Sequence, residues 1–417
     1  MQAKTRKMKQ DAQRAQPPPA LLDAAAVEFN ARGIAGARLA QIGAAAGIKR
    51  SALYYYFDSR EDLAFRCYLR ECRQVADDLA AARTADDGLA RLHAYLRRAL
   101  DAARPPAVVL SEIPYLGHER RRRVEAELAR NMRTLTGFVE EGIADGSIRA
   151  CNARVAAQAI YGMVVWVPLA GEWVVDAGAD VRRHAAAALW DLVQRGTAAH
   201  AGADVRCTLE VNDFAFRHGN AFDRREASAL KVELLVQTAS RLFNRHGIDG
   251  TSLDDITAEL GATKGAFYHH ITEKKALVLR CAQRAFDLYD RFADAAETHG
   301  RNGLERSMIG LHLNVQAQAS ALSPLSPLTG LEVLPARSLK DLRARSLRVE
   351  QRFEAFNHGG IRDGSLRRFD VRTLSLAGAG AFGWISKWYD EAQGPSPREL
   401  ADEMVNLFVH GLRSSRR

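Results

Sequence analysis

Residues 47–63 of the chain read GIKRSALYYYFDSREDL, and residues 261–277 read GATKGAFYHHITEKKAL. The two stretches lie 214 positions apart and share the positions of a leading glycine, a small apolar residue, a tyrosine, a basic residue and a closing leucine. A glycine that turns the chain between two short amphipathic helices is the pattern of a helix-turn-helix unit. The sequence therefore predicts two such units.

The repeat extends well beyond these stretches. At the shift of 214, residues 21–63 lie over 235–277 without a gap and match at 14 of 43 positions, against roughly two or three expected by chance. A second block repeats at a shift of 218, where residues 142–149 mirror 360–367 and Trp166 mirrors Trp384. A net four residues were thus inserted between the two blocks of the second copy, which indicates a duplicated unit that later diverged.

Composition limits the class of protein. A chain of 417 residues exceeds what one hydrophobic core usually organises, so two or more domains are expected. With 47 % hydrophobic and 26 % charged residues, and with no apolar run of about eighteen residues, we expect a packed cytoplasmic protein without a membrane span. The formal net charge of +9 permits a polyanionic partner such as nucleic acid.

Candidate chemistry is sparse. The five cysteines form no C-x-x-C pair and no Cys/His group with zinc spacing, so neither a metal site nor a disulfide framework is indicated. No nucleophile with its base, no carboxylate pair and no glycine-rich phosphate loop stands out. We therefore expect neither an enzyme nor a bound cofactor.

The two motifs resemble the signature of the TetR family of regulators, which is more specific than helix-turn-helix patterns in general. The resemblance implies an all-α protein of two tandem TetR-like units, each with an N-terminal three-helix head and a C-terminal helical body for ligand binding and dimerisation. The expected divisions are a disordered basic arm (1–16), head one (17–63), body one (64–200), a linker (201–225), head two (226–277) and body two (278–417).

The resemblance also implies which residues meet DNA. In the family the third helix of the head enters the major groove, where early side chains touch base edges, and a tyrosine and a later basic residue hold phosphates. Arg50 is the candidate for a bidentate guanine contact in the first copy, and Lys264 takes its place in the second. The full candidate set is Arg38, Lys49, Arg50, Ser51, Tyr54, Tyr55, Arg60, Thr251, Ser252, Thr263, Lys264, Gly265, Tyr268, His269 and Lys274.

The copies depart from the family pattern in two places. Copy one has Ala37 and Arg38 where the family usually places a hydroxyl pair before helix two, which weakens a phosphate contact. Copy two has Ile271 where an aromatic residue is usual. Tyr54 and Tyr268 also have an alternative interpretation, in which they only close the head by packing.

The last two helices of each body are expected to form the pairing surface. They are predicted over 153–173 with 180–196, and over 371–388 with 397–412. Trp166, Gly380 and Trp384 are the candidate interface residues, since small residues beside tryptophan suit close helix contact. The earlier helices of each body are expected to enclose the pocket of an effector that the sequence does not identify.

These observations predict a DNA-binding regulator, specifically a repressor that a small-molecule effector releases from double-stranded DNA. Its two modules pair within one chain on an imperfect inverted repeat, because the leading edges of the heads differ, Lys-Arg-Ser against Thr-Lys-Gly. Two alternatives stay open. In one, only one head binds DNA and the other module serves for pairing; in the other, chains form a homodimer with four heads.

Overall fold

The computed structural model of the chain describes residues 16–414, except 102, 174–180, 216–222, 262–272 and 327–329. Within these ranges the regular structure is helical, joined by two isolated β-bridges. The all-α fold expected from the sequence is confirmed. None of the described helices is both long and apolar enough to span a membrane. Nearly all of the expected basic arm lies outside the described residues.

The first module, residues 17–200, begins with a head and continues into a body of longer helices. Its helices are α1 (Pro19–Gly36), α2 (Leu39–Ala45), α3 (Arg50–Leu53), α4 (Arg60–Ala82), α5 (Gly88–Ala99), α6 (His118–Asp145), α7 (Ala153–Trp173) and α8 (Val181–Arg195), and a 3-10 turn covers Ile113–Tyr115.

The second module, residues 224–413, repeats this order. Its helices are α9 (Arg224–His246), α10 (Leu253–Glu259), α11 (Lys274–His299), α12 (Gly303–Ala319), α13 (Ala336–Asp363), α14 (Val371–Gly383), α15 (Ile385–Trp388) and α16 (Pro397–His410), with 3-10 turns at Val211–Phe214 before it and Leu331–Val333 within it. The expected third helix of head two falls in residues 262–272, outside the described residues.

The residues that repeat between the copies build the core of each head. Phe29 and Ile42 are 3 % and 1 % exposed, and their equivalents Phe243 and Ile256 are 1 % and 0 % exposed. Gly47 turns the chain after α2 with a φ of 67°, a conformation that residues other than glycine rarely adopt. The backbone conformation of the turn thus requires glycine, and packing in the core requires the apolar residues that match between the copies.

The bodies meet where α7 and α14 cross. A Cβ added at Gly380 would lie 2.4 Å from the carbonyl oxygen of Gly162, and one added at Gly162 would lie 2.6 Å from that of Gly380. Real Cβ atoms do not approach backbone so closely, so both glycines are needed for this contact. Trp384 completes it by donating from Nε1 to Gln158 Oε1 at 3.1 Å.

Arg149, which follows α6, joins the first module to the end of α16. Its backbone N–H donates to the carbonyl oxygen of Leu412 at 2.9 Å. Its guanidinium donates to the carbonyl oxygens of Gly411 at 2.6 Å and Asn406 at 2.9 Å. The last carbonyl groups of a helix have no partner within that helix, and a cation is favourable beside them.

Arg367 makes the same contacts in the opposite direction. It is the repeat equivalent of Arg149 and donates to the carbonyl oxygens of Thr197 at 3.0 Å, Gly196 at 2.7 Å and Asp191 at 3.2 Å, all at the end of α8. A contact that each half offers identically to the other is the mark of a twofold-related interface.

Within the segment expected as a linker (201–225), residues 211–214 pack onto the second body. The N–H of Val211 donates to Gln316 Oε1 at 3.2 Å, and the ring of Phe214 lies edge-on to that of Phe292 with centroids 5.2 Å apart. The glycine, asparagine and aspartate residues that break helical periodicity here do not prevent the intervening apolar residues from docking.

The expected borders between heads and bodies fall inside helices. Residues 63 and 64 both lie in the first turns of α4, and residues 277 and 278 both lie near the start of α11. Each of these helices runs without interruption from its head into its body. A displacement in either body can therefore reach the head through a continuous helix.

Candidate functional site

Head one presents a basic and aromatic surface around α3. Lys49, Arg50 and Ser51 are exposed, and Tyr54 and Tyr55 are 51 % and 65 % exposed. Adjoining exposed aromatic side chains form a patch of the kind that marks a binding surface, and these five positions together offer hydrogen-bond donors of the kind used on base edges and phosphates. The geometry suits a polyanion.

The side chains beneath α3 hold this surface in place. Leu53 and Phe57 are fully buried. The N–H of Ile48 donates to the carbonyl oxygen of Gly43 at 2.8 Å, and a Cβ at Gly43 would lie only 2.7 Å from the carbonyl oxygen of Ile48. The turn is therefore tight, and α3 is presented on a rigid support.

The positive charges on this surface are available. No described acidic side chain lies within ion-pair distance of Arg38, Lys49 or Arg50. Arg38 precedes α2, and although its N–H donates to Glu28 Oε1 at 2.9 Å, its side chain is exposed. An anionic ligand would meet these three cations without first displacing an internal partner.

The structure places two predicted contact residues inside the head. Arg60 donates from its guanidinium to the carbonyl oxygen of Ala35, and its Nε is buried. Thr251 is 0 % exposed, and its hydroxyl lies 2.9 Å from the carbonyl oxygen of Gly247. Both side chains satisfy carbonyl groups at the end of the first helix of their head. A DNA contact by Arg60 or Thr251 therefore competes with an internal hydrogen bond, and it stays a prediction.

Two further candidates in head two are partly engaged. Ser252 caps α10 in a capping box, accepting from the N–H of Asp255 at 3.0 Å while its own N–H donates to the Asp255 carboxylate at 2.7 Å. Lys274 is half-buried, and its burial lowers the pKa of its ammonium, opposed by Asp249 and Asp255. The remaining candidates of this head, Thr263, Lys264, Gly265, Tyr268 and His269, lie outside the described residues.

Sequence reasoning missed the asparagine that fastens each head to its body. Asn30 donates to the carbonyl oxygen of Ala107 at 2.8 Å and accepts from the N–H of Val109 at 2.9 Å. Asn244 is its repeat equivalent and makes the matching pair of bonds to Pro324 and Ser326. The sequence did contain a signal for this role, because Asn30 and Asn244 are identical at equivalent positions of the repeat.

A buried carboxylate separates the two heads. Glu112 stands just before the 3-10 turn of the first module, 2 % exposed, and accepts from the N–H of Ile34. A Cβ at Gly33 would lie 2.9 Å from its Oε1, and one at the equivalent Gly247 would lie 2.7 Å away. Burial raises the pKa of Glu112, while the Ile34 bond and Lys387 oppose the rise. This carboxylate therefore touches equivalent points on both heads.

Lys387 on α15 ties three parts of the molecule together beside Glu112. Its ammonium donates to the carbonyl oxygen of Ser111 in the first module at 2.6 Å and lies 3.4 Å from that of Arg245 in head two. Loss of solvent lowers the pKa of Lys387 to about 8, against the favourable effect of Glu112.

The lowered pKa of Lys387 predicts how stability depends on pH. Between the folded pKa of about 8 and the ordinary value of 10.5, the unfolded chain binds more protons than the folded chain, so raising the pH through this window stabilises the fold. We expect Lys387→Met to remove that gain. Urea unfolding of both proteins near pH 7 and near pH 9.5 measures it; an equal pH dependence in the two proteins would contradict the assignment.

A cavity lies in the second body, between α11, α12, α13 and α14. Its volume is about 280 Å³, and its wall is mainly apolar, with residues such as Phe286, Leu311 and Phe382. Trp166 and Thr197 of the first module complete the wall. A cavity of this size and composition can enclose a small organic molecule.

Two family models match the chain, each of them twice. The model described as "Bacterial regulatory proteins, tetR family" matches residues 21–67 and 235–281. The model described as "Tetracyclin repressor-like, C-terminal domain" matches residues 84–197 and 306–412. The matched ranges include both heads and most of both bodies.

Curated relatives match over short stretches. The Transposon Tn10 TetC protein of Escherichia coli is 36 % identical over 73 residues, which are 17 % of this chain and 37 % of the relative. The HTH-type transcriptional regulator TtgR of Pseudomonas putida is 32 % identical over 75 residues, 18 % of this chain and 35 % of the relative. In both cases the match spans less than two fifths of the relative.

Solved structures match over less than half of the chain. Apo AibR is 23 % identical and covers 43 % of this chain and 99 % of its own, with a TM-score of 0.36. The ketosteroid transcriptional regulator KstR2 of Mycobacterium tuberculosis is 16 % identical and covers 44 % of this chain and 95 % of its own, with a TM-score of 0.38.

Proposed function

This chain belongs to the TetR family of bacterial regulatory proteins, and we propose that it binds operator DNA as a single chain whose two modules pair with each other. In this proposal the pair acts as a transcriptional regulator in the cytoplasm, its affinity for double-stranded DNA responds to a small molecule held in a body, and it has no catalytic role.

The reciprocal contact between the bodies supports pairing within the chain. Arg149 donates to carbonyl groups at the end of α16, and Arg367 donates in the same way at the end of α8. Gly162 contacts Gly380 where α7 and α14 cross. These are the surfaces that two separate chains would otherwise use for pairing. Because they already cover each other, a second chain finds them occupied.

The covalent connection makes this pairing independent of protein concentration. A tether that spans the gap gives an effective concentration of roughly millimolar. Here the connecting segment also docks on the second body through Val211 and Phe214. Pairing within the chain therefore competes strongly against pairing between chains.

The exposed surface of head one supports DNA as the partner. Lys49, Arg50 and Ser51 occupy the positions at which the family reads bases, with Tyr54 and Tyr55 beside them for phosphates. Head two carries Thr263, Lys264 and Gly265 at the same positions. Because the two sets of side chains differ, the two halves of the operator should differ as well.

Selection from a random library of DNA duplexes by the full chain tests this function. We expect one inverted repeat with unequal half-sites, bound with an affinity that falls as salt rises, since phosphate contacts release counterions. Two identical half-sites would contradict the single-chain arrangement, and failure to enrich any sequence would contradict the DNA-binding function itself.

One observation favours the alternative in which head one serves only for pairing. α2 begins after Arg38 without any side-chain cap, whereas α10 begins with the capping box of Ser252. The entry to the helix-turn-helix of head one is thus less firmly held. The Arg50 substitution described in the Discussion separates the two cases.

A further inference from the structure

The two bodies differ in how much space they enclose. The second body holds the cavity of about 280 Å³, whereas the corresponding place in the first body, between Tyr95, Tyr161 and Arg104, leaves only about 20 Å³. The helices that surround the two places are equivalent in the repeat. The side chains that line the two places, in contrast, differ.

Larger side chains fill the first body at positions where the second has small ones. Tyr68 stands where the second module has Ala282, Ile160 where it has Gly378, and Tyr161 where it has Ala379. Each of these large side chains is at most 2 % exposed. Ala282, Gly378 and Ala379 all line the cavity of the second body. The first body has closed its site with its own side chains.

The lining of the second cavity is also more polar. Six of its residues replace apolar residues of the first body, in the pairs Leu92/Ser307, Ala99/Asn314, Leu128/Ser346, Met132/Glu350, Val139/Asn357 and Ala157/Ser375. Polar groups in a core destabilise a protein unless hydrogen bonds compensate them. Ser307 and Asn357 compensate each other, since the Ser307 hydroxyl donates to Asn357 Oδ1 at 2.8 Å.

Part of this compensation is absent from the protein itself. Asn314 is 5 % exposed, and although its Nδ2 donates to Gly310, its Oδ1 has no hydrogen-bond partner among the described residues. The buried hydroxyl oxygen of Ser375 has none there either. The first body also has buried polar atoms without a partner among the described residues, Tyr95 Oη and Arg104 Nε, but the space of about 20 Å³ beside them has no room for an organic ligand. Unpaired polar atoms on a cavity wall are the groups that a ligand would satisfy.

The charge of the cavity has one sign. Glu350 lines it, and the described residues of the lining include no lysine, arginine or histidine. No described basic side chain lies within ion-pair distance of Glu350. Burial raises the pKa of Glu350, Glu354 raises it further, and Arg372 opposes them. A cation in the cavity would relieve this unfavourable burial, whereas an anion would increase it.

We propose that the effector site is confined to the second module, with one molecule per chain, and that this molecule is a small, mainly apolar amine whose ammonium group pairs with Glu350. The regulatory role of this molecule rests on the proposed function. Its binding to the cavity does not require DNA. The first module then contributes a head and a pairing surface, without a ligand site of its own.

The walls of the cavity connect the ligand to both modules. Ser326 lines the cavity, and its N–H donates to Asn244 Oδ1 at 2.8 Å, on the first helix of head two. Trp166, which also lines the cavity, comes from α7, the helix that crosses α14. A ligand in the cavity thus contacts both the loop that anchors head two and the surface that pairs the modules. Movement of either one would change the position of a head.

Isothermal titration of the full chain without DNA tests the proposal. The probes are matched pairs of amines and acids with the same apolar skeleton, such as 4-phenylbutylamine with 4-phenylbutanoate, across a range of sizes. We expect at least one amine to bind at one molecule per chain and its acid partner to bind at least about tenfold more weakly, a difference of about 1.4 kcal/mol.

Substitutions locate the site. Glu350→Gln should weaken amine binding by about tenfold or more, and Ala379→Tyr, which installs the residue of the first body, should abolish it. Asp341→Asn is the matched control, because Asp341 is exposed on the same helix, α13, and lies outside the cavity lining, so binding should stay within about twofold. Circular dichroism checks that each variant folds.

Four results would overturn the proposal: two molecules bound per chain, equal affinity for amine and acid, unchanged binding in Glu350→Gln, or no binding of any amine in the panel at millimolar concentration. None of these results touches the DNA selection. A chain that selects DNA but binds no amine refutes this inference alone, and a chain that binds amine but selects no DNA refutes only the proposed function.

Discussion

Replacing Gly380 with alanine should lower the free energy of unfolding by about 1–3 kcal/mol, the usual cost of forcing an extra methyl group into a packed contact. The new Cβ would lie 2.4 Å from both the carbonyl oxygen of Gly162 and the Cβ of Trp166, neither of which can move without shifting a helix. Since the same contact pairs the modules, affinity for the selected DNA should fall as well. Urea unfolding and DNA titration measure the two effects.

Gly137→Ala provides the matched control for this substitution. Gly137 also lies within a helix, α6, but a Cβ added there meets nothing within 4 Å. Alanine at such a position should stabilise the helix by up to about 1 kcal/mol. If Gly380→Ala behaved like Gly137→Ala, the close crossing of α7 and α14 would not exist in solution.

Replacing Arg50 with alanine should remove about 1–3 kcal/mol of discrimination at one base pair in one half of the operator. Arg50 is exposed on α3 and has no described ion-pair partner, so its loss leaves the head intact. Binding is measured against duplexes that carry each base at the affected position. Arg206→Ala is the control, because Arg206 is 85 % exposed in the segment between the modules and should leave the discrimination unchanged.

The position of the affected base carries further information. A loss confined to one half-site means that head one reads that half and head two reads the other. Unchanged discrimination at every base, with wild-type affinity, would instead support the alternative in which head one has stopped reading DNA and serves for pairing. Loss at the same base of both halves would indicate two copies of head one on the operator.

The repeat made most of the architecture predictable from the sequence. The family resemblance, placed on the repeat, predicted the final helices closely: 153–173 was expected and Ala153–Trp173 is observed, and 397–412 was expected where Pro397–His410 is observed. The helix expected over 371–388 is divided at Trp384 into α14 and α15. These features follow from motifs and repeats that can be read directly from the sequence.

Contacts between distant residues were not predictable in the same way. Thr251 and Arg60 have the residue types of phosphate ligands, yet each lies against a carbonyl group at the end of the first helix of its head. Glu112 stands in a loop with no motif, and only the folded chain brings it against both Gly33 and Gly247. The docking of the connecting segment likewise depends on partners more than a hundred residues away in sequence, such as Gln316.

The difference between the two bodies was partly predictable from the sequence. Every substitution behind it can be read from the sequence once equivalent positions are known, for example Met132 against Glu350. The shift between copies changes from helix to helix, however, and apolar residues of a core cannot be distinguished from those of a pocket by spacing alone. The structure shows which residues of the two bodies are equivalent and which of them line the cavity.

The central claim is that the two modules of one chain pair with each other and act as one regulator. Light scattering measures this claim directly, through the mass of the chain alone and in complex with its selected DNA. We predict the mass of a single chain, 45.9 kDa, in the free protein, and one chain per operator in the complex. A free mass of two chains, or two chains on each operator, would mean that the modules pair between chains and would contradict the account.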